Sequence, residues 1–303
     1  MSIQTRERDA AGIESRATAK VAAVQWSLKP LTGRDDFVAQ VERAIAGSGD
    51  AEIVVFPELM TTSLLTTLDD WRSRGTADLL RKLPGFTDWY RELFRDLAKV
   101  SGKALLAGTH LESTESGTRN TAFLFNSDGQ EWRHSKTHVM PYERWIDSEG
   151  ETLEVVEISG IKTGVTICYE IEVPEIATAL ARQGAELLLC PSYTSTPAGF
   201  WRVRHCAQAR SIENQVYVVH AGLTSELDAP IPPGFARSSV LTPCDDLFSA
   251  DGVAVEAPPD RETVVTAELD LTLLRENRVQ GTAPLHADRI RRAGFYERVI
   301  PAG

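Results

Sequence analysis

Cysteine is scarce in this chain. Four thiols, Cys168, Cys190, Cys206 and Cys244, are spread over 303 residues, and no two stand in C-x-x-C spacing. No histidine pair completes a zinc pattern, so neither a metal site nor a disulfide framework is indicated. Reduced thiols and a cytoplasmic location are the expectation that follows. Positive charge is also short. Lys and Arg number 32 against 43 Asp and Glu, a formal charge of −11. Such a surface repels phosphate backbones, which argues against a nucleic-acid partner. No apolar run reaches spanning length, and the first residues lack the apolar region of a signal peptide, so no membrane role is expected. The motif G-x-S-x-G is absent, which leaves a Ser-His-Asp hydrolase without support.

What is present suits one large globular unit. Hydrophobic residues make up 42% and charged residues 25%, proportions from which a sizeable core can be built without metal or disulfide. Residues 1–19 are polar and aperiodic and read as a mobile arm, with residues 20–303 as a single domain. Val21–Trp26, Ile53–Phe56, Ala104–Ala107, Glu186–Cys190 and Val216–His220 are short apolar runs that read as buried strands. Asp36–Ala46, Thr87–Val100, Pro174–Gln183 and Phe200–Glu213 read as helices between them. In the second of these, Trp89, Leu93, Phe94, Leu97 and Val100 mark one helical face. Ser127-Asp-Gly129 and Ser159-Gly160 read as hairpin turns. A helix between two buried strands is a crossover, so those strands run parallel. Ala51-Glu-Ile-Val-Val-Phe-Pro-Glu58 echoes Ala185-Glu-Leu-Leu-Leu-Cys-Pro-Ser192. The echo suggests two similar βαβ halves. The arginines at 289, 291, 292 and 298 read as ion pairs, internal or across a subunit contact.

Three residues could carry chemistry. Cys168 ends a strand and precedes a helix, at the sheet edge where α/β sites gather. A helix N-terminus there favours thiolate, although a small buried thiol would fit the same place. Glu58 follows a buried strand through Pro57. It could serve as a base if burial raises its pKa, or as a cap. Lys136 precedes Pro141 and Glu143 and could meet a developing oxyanion, or be a solvated surface charge. Cys190 and Cys206 lie inside a strand and a helix and read as structural.

Together these pieces resemble the nitrilase-like carbon–nitrogen hydrolases. The resemblance lies in Phe56-Pro57-Glu58, in Lys136-Thr-His138-Val-Met-Pro141-Tyr-Glu143 and in Gly164-Val-Thr-Ile-Cys168-Tyr-Glu170, in the family's order. Pro174-Glu175 and Ala209-Arg-Ser-Ile-Glu-Asn-Gln215 extend it, so that it covers about residues 20–298. It implies an α/β fold, a four-layer α-β-β-α sandwich with two similar βαβ-containing halves. It implies Cys168 as nucleophile, Glu58 as general base, Lys136 as oxyanion stabiliser and Glu143 as the glutamate that orients Lys136. The backbone N–H of Tyr169 would complete the oxyanion hole. No metal or organic cofactor is implied, and the expected partners are a small amide and a second copy of the chain, as homodimer or larger homo-oligomer.

The departures bear on substrate. Nitrilases usually carry Cys-Trp-Glu, whereas Cys168-Tyr169-Glu170 favours amides over nitriles. Many small-amide members have Arg shortly after the cysteine, whereas this chain has Ile171-Glu172-Val173. The expected reaction is hydrolysis of a small linear carboxamide through a thioester. Hydrolysis of an N-carbamoyl amine, nitrile hydrolysis and a non-catalytic binding role are the alternatives. Arg202 and Arg204 read as ion pairs with Glu213 or others, with a substrate carboxylate as the other reading. Tyr193 and Thr194 follow the second Pro-terminated strand and are expected to line the pocket.

Overall fold

The computed structural model describes residues 16–299, and the rest of the expected arm, 1–15, lies outside the described residues. The described chain runs β1 (Thr18–Leu28), α1 (Arg34–Gly47), β2 (Ile53–Val55), α2 (Thr76–Leu80), α3 (Thr87–Ser101), β3 (Ala104–Thr114), β4 (Gly117–Phe125) and β5 (Glu131–Ser135). It continues β6 (Val156–Ile158), β7 (Ile161–Val165), α4 (Pro174–Arg182), β8 (Leu187–Ser192), α5 (Pro197–Asn214) and β9 (Tyr217–Ser225). Then follow β10 (Ser239–Leu241), β11 (Val253–Glu256), β12 (Thr263–Asp270), α6 (Leu271–Gln280), α7 (Leu285–Arg291) and α8 (Ala293–Val299). The first strand starts two residues before the expected arm ends. Thr18 and Ala19 pair with Asp270 and Leu269 of β12, and Arg16 binds the Glu52 carboxylate.

The strands form the order β5-β4-β3-β2-β1-β9-β8-β7-β6. β12 flanks β1 and β10 flanks β9, both antiparallel. β1 and β9 meet only at their carboxyl ends, Trp26–Leu28 against Leu223–Ser225. Before that joint each turns to its own antiparallel partner, so the strands divide into two sheets joined at one seam. One apolar core contains Val21, Ile53 and Leu106 of the first sheet with Val165, Cys190 and Val218 of the second. The outer layers are α1 and α3 against the first sheet, α4 and α5 against the second. The chain has an α/β fold, and these layers are those of the expected sandwich.

The internal echo has a structural basis. β1, β2 and β3 are parallel, linked by α1 and α3, and β7, β8 and β9 are parallel, linked by α4 and α5. The echoing segments form the middle strand of each triplet. One local reading needs correction. The buried stripe of α3 is Tyr90, Phe94 and Ala98, and Val100 is 86% exposed. Val100 stands two residues past Ala98, about 200° round the helix and off the stripe. The terminal arginines act locally in the described residues: Arg291 pairs with Asp288, and Arg289 donates to the Asn214 side chain and the Glu213 carbonyl. No helix of the described residues is long and apolar enough to cross a membrane.

Two features aim β2 at its site. Phe56 packs edge-on against Phe94 (5.5 Å between ring centroids) and Trp26 (5.9 Å), which ties the strand end to α3 and β1. Gly108 sits at an irregularity of β3 with φ +75°, and a Cβ there would lie 2.1 Å from the Pro57 carbonyl oxygen. Only glycine allows β3 this close to the residue before Glu58. Gly108→Ala is therefore expected to destabilise the protein by about 2 kcal/mol or more and to lower activity by displacing Glu58. Denaturant unfolding and steady-state kinetics check both, and a variant of unaltered stability would refute the packing account.

Candidate active site

Each half of the molecule sends reactive side chains to the same place. Glu58 follows β2 through Pro57, and Lys136 directly follows β5. Glu143 lies in the irregular stretch after Lys136. Cys168 opens a 3-10 turn, Cys168–Glu172, after β7. Both halves bend sharply at these points. Leu59, next to Glu58, has φ +49°, and Cys168 has φ +47°. Left-handed backbone at non-glycine residues costs roughly 1–3 kcal/mol each and concentrates at functional sites.

Lys136 is the centre of the cluster. Its Nζ donates to Glu58 Oε1 at 2.9 Å and to both oxygens of Glu143 at 3.0 Å. Its side chain is 1% exposed, and those of Glu58 and Glu143 are 2% and 6% exposed. The remaining lone pairs are matched too. Asn120 Nδ2 donates to Glu58 Oε1 at 2.8 Å, the Tyr193 N–H donates to Glu58 Oε2 at 2.9 Å, and the Met140 N–H donates to Glu143 Oε2 at 2.8 Å. The Lys136 N–H donates to the Asn120 carbonyl, so strand β4 fixes Glu58 with its side chain and Lys136 with its backbone.

Electrostatics follow from this burial. Burial disfavours the Lys136 ammonium, but the Glu58 and Glu143 carboxylates overcome that and hold it well above its ordinary range. Burial pushes Glu58 upward, Lys136 draws it back, and Glu143 adds to the rise. Burial and then the Glu58 carboxylate raise the Cys168 thiol well above its ordinary value. Of the two readings left open at Cys168, burial favours the neutral thiol. The thiol is protonated at rest, and its Sγ donates to the Tyr193 carbonyl oxygen at 3.8 Å.

A third carboxylate locks the two halves of the cluster. Glu170 is fully buried. It accepts from the Thr137 N–H at 2.6 Å and hydroxyl at 2.7 Å, lies 2.9 Å from His134 Nε2, and accepts from the Ile167 N–H. It thereby clamps the strand end carrying Lys136 to the turn carrying Cys168. Burial opposes its charge, yet His134 and the N–H donors outweigh that and depress its pKa.

Glu58, Glu143 and Cys168 line a cavity of about 600 Å³, with Tyr193 and Thr194 in its wall as expected. Their hydroxyls are already engaged, Tyr193 with the Pro232 carbonyl at 2.6 Å and Thr194 with that of Phe235 at 2.9 Å. Lys136 lies behind the two carboxylates. No described histidine lines the cavity, and burial holds His110 and His220 down near 3, so both are neutral at neutral pH. Among the described residues, the N–H of Tyr169 makes no backbone bond, as fits the open first turn of a helix. Arg202 pairs with Glu172 at the cavity wall and Arg204 with Glu256, whereas Glu213 pairs with Arg210.

The carbon-nitrogen hydrolase family model matches residues 20–279 of this chain. The chain belongs to the carbon–nitrogen hydrolase family. Among its curated relatives, the probable hydrolase YhcX of Bacillus subtilis is 34% identical over 90% of the chain. The chain spans only 54% of that relative's length. The omega-amidase NIT2-A of Xenopus laevis is 28% identical over 86% of the chain and 92% of its own length. The crystal structure of Saccharomyces cerevisiae Nit3, a member of the nitrilase superfamily, superposes with TM-score 0.69 at 27% identity, over 86% of this chain and 93% of that one.

The sequence reading missed Asn120 and gave Glu170 no role. Asn120 carried no distinctive signal, because it stands in the polar half of β4 between Arg119 and Thr121. Glu170 is expected to act as a clamp. Since its pKa is depressed, its contribution is complete above the ordinary glutamate range and is lost as pH falls through its lowered folded value. Glu170→Gln should lower stability at neutral pH by about 1–3 kcal/mol and flatten the acid-side loss. Melting temperature measured against pH checks this. Parallel curves for the two proteins would show that Glu170 carries no linked charge.

Proposed function

We propose that the protein hydrolyses a small linear carboxamide to carboxylate and ammonia, with Cys168 as nucleophile, Glu58 as base and Lys136 with the Tyr169 N–H as oxyanion stabilisers. The observation that carries this reading is the buried Lys136 ammonium held between Glu58 and Glu143, with Cys168 in the same cavity wall. The omega-amidase relative supports the amide class.

The steps follow from the groups. Glu58 takes the Cys168 proton as sulfur attacks the amide carbon, and the carbonyl oxygen becomes an oxyanion. At rest the three donors of Lys136 are met by three carboxylate oxygens, so an oxyanion would take over one of the two Glu143 contacts. The Tyr169 N–H supplies the second donor. Collapse passes the Glu58 proton to the departing nitrogen and leaves a thioester. Water, deprotonated by Glu58, then attacks it and frees Cys168 with the proton returned.

Two measurements test this. Ammonia release from amides, ureido compounds and nitriles is expected for amides and lost in Cys168→Ala. Carbon dioxide accompanying ammonia would instead indicate an N-carbamoyl substrate, and full activity of the variant would sink the mechanism. Glu58 must be ionised to act, and its pKa is raised, so activity is present above that value and lost below it. The acid limb of kcat/KM is expected above the ordinary glutamate value of 4.5. A limb at or below that value would exclude Glu58 as the base.

A further inference from the structure

Among the polar groups of the cavity wall that the reaction above does not use, Glu172 stands apart. Glu172 closes the same 3-10 turn that Cys168 opens, and both residues line the cavity. The turn rises about 2 Å per residue, which separates their backbones by about 8 Å. Glu172 Oε2 accepts from Arg202 Nε. Glu172 Oε1 is buried and has no partner among the described residues. A buried carboxylate oxygen without a donor is costly. Arg210 fixes the backbone from which the side chain projects: Nε donates to the Ile171 carbonyl at 2.9 Å and Nη2 to the Glu172 carbonyl at 2.8 Å.

We propose that Glu172 is the cavity's recognition residue for a cationic amine carried by the substrate at the end away from the scissile amide. This rests on the amide-hydrolysis reading above and deepens it. The free Oε1 needs a donor that the protein does not supply, and an ammonium supplies a charged one. Field and contact agree. Glu58, Glu143 and Glu172 against Lys136 and Arg202 leave a net negative charge around the cavity, which favours a monocation and opposes a substrate carboxylate. Arg202 spans the opposite possibility, since a guanidinium at the wall could bind a carboxylate. Its side chain is 51% exposed, however, and its Nε is already spent on Glu172, which weakens its hold on an anion.

The test uses binding and turnover on one ligand series. Glycinamide, β-alaninamide and γ-aminobutyramide are compared with uncharged alkanamides and ω-carboxyl amides of matching length. Binding is read by calorimetry on Cys168→Ala, turnover by ammonia release from the unsubstituted protein. The ammonium member of one length is expected to bind about tenfold to a hundredfold tighter than its uncharged match, the range of one charge-assisted hydrogen bond. Adding Glu172→Gln should bring that ratio close to one. Adding Arg202→Gln instead should raise it, because the carboxylate loses its competing cation. A merely structural ion pair would move both variants the same way, and that result overturns the assignment. So does preference for the ω-carboxyl series, lost in Arg202→Gln. Ammonium preference in binding without turnover of any amide would sustain the Glu172 assignment and defeat amide hydrolysis. Turnover with no ammonium preference would do the reverse.

Discussion

The rest of this structure is arranged around one buried ammonium. Taking Lys136 and two carboxylates out of water costs several kcal/mol per ion, and their mutual attraction repays that only if every lone pair finds a donor. The protein meets the condition. Glu58 is satisfied by Lys136, Asn120 and the Tyr193 N–H, and Glu143 by Lys136 and the Met140 N–H. The donors come from β4, the end of β8 and the segment after β5, so the cluster forms only once both sheets are joined. A hydrophobic triad of similar volume would be at least as stable. Retention of three charges therefore calls for a chemical reason, and the neighbouring thiol supplies it.

The single net negative charge of the cluster explains how a protonated Cys168 can serve. Moving the proton from sulfur to Glu58 shifts the charge from one oxygen to sulfur, and attack shifts it again to the carbonyl oxygen. At no stage does the buried total change. A thiol raised by burial would be a poor nucleophile alone. Beside a raised glutamate and a fixed ammonium, the transfer needs little reorganisation, and reorganisation is the step that solvent would make expensive. Glu170 completes this by fixing the separation between the Lys136 and Cys168 segments.

Much of this was legible in the sequence, and the legible part has a common origin. β2 and β8 are short apolar runs closed by proline, and a strand buried on both faces leaves such a run in any chain. The four catalytic candidates were readable because each sits beside such a strand end or inside a motif of the family. What could not be read was long-range and polar. That Asn120 meets Glu58 depends on how β4 lies against β2 and β3, which no local spacing encodes. The left-handed backbone at Leu59 and Cys168 contradicts the propensity of both residue types. The depressed Glu170 owes most to His134, 36 residues away, and the raised Cys168 to burial and then to Glu58, 110 residues away. The elements after His220 were not placed from sequence. β10 and β11 are only 3 and 4 residues long, too short to show a period.

The division of labour between the two sheets follows from the same geometry. The first sheet carries Glu58 and Lys136, the charged half of the cluster, and the second carries Cys168, Glu172, Tyr193 and Thr194. Charge is costly to relocate once buried, so the first sheet's contribution is rigid and fully bonded. The wall supplied by the second sheet is looser. Tyr193 and Thr194 hold the 232–235 segment with their hydroxyls and offer a substrate their ring and methyl surfaces. Glu172 alone in that wall keeps a buried oxygen unmatched. A change of substrate in this fold would therefore fall on Glu172 and on the side chains of the segment after β8. Those positions can vary without disturbing a single hydrogen bond to Lys136.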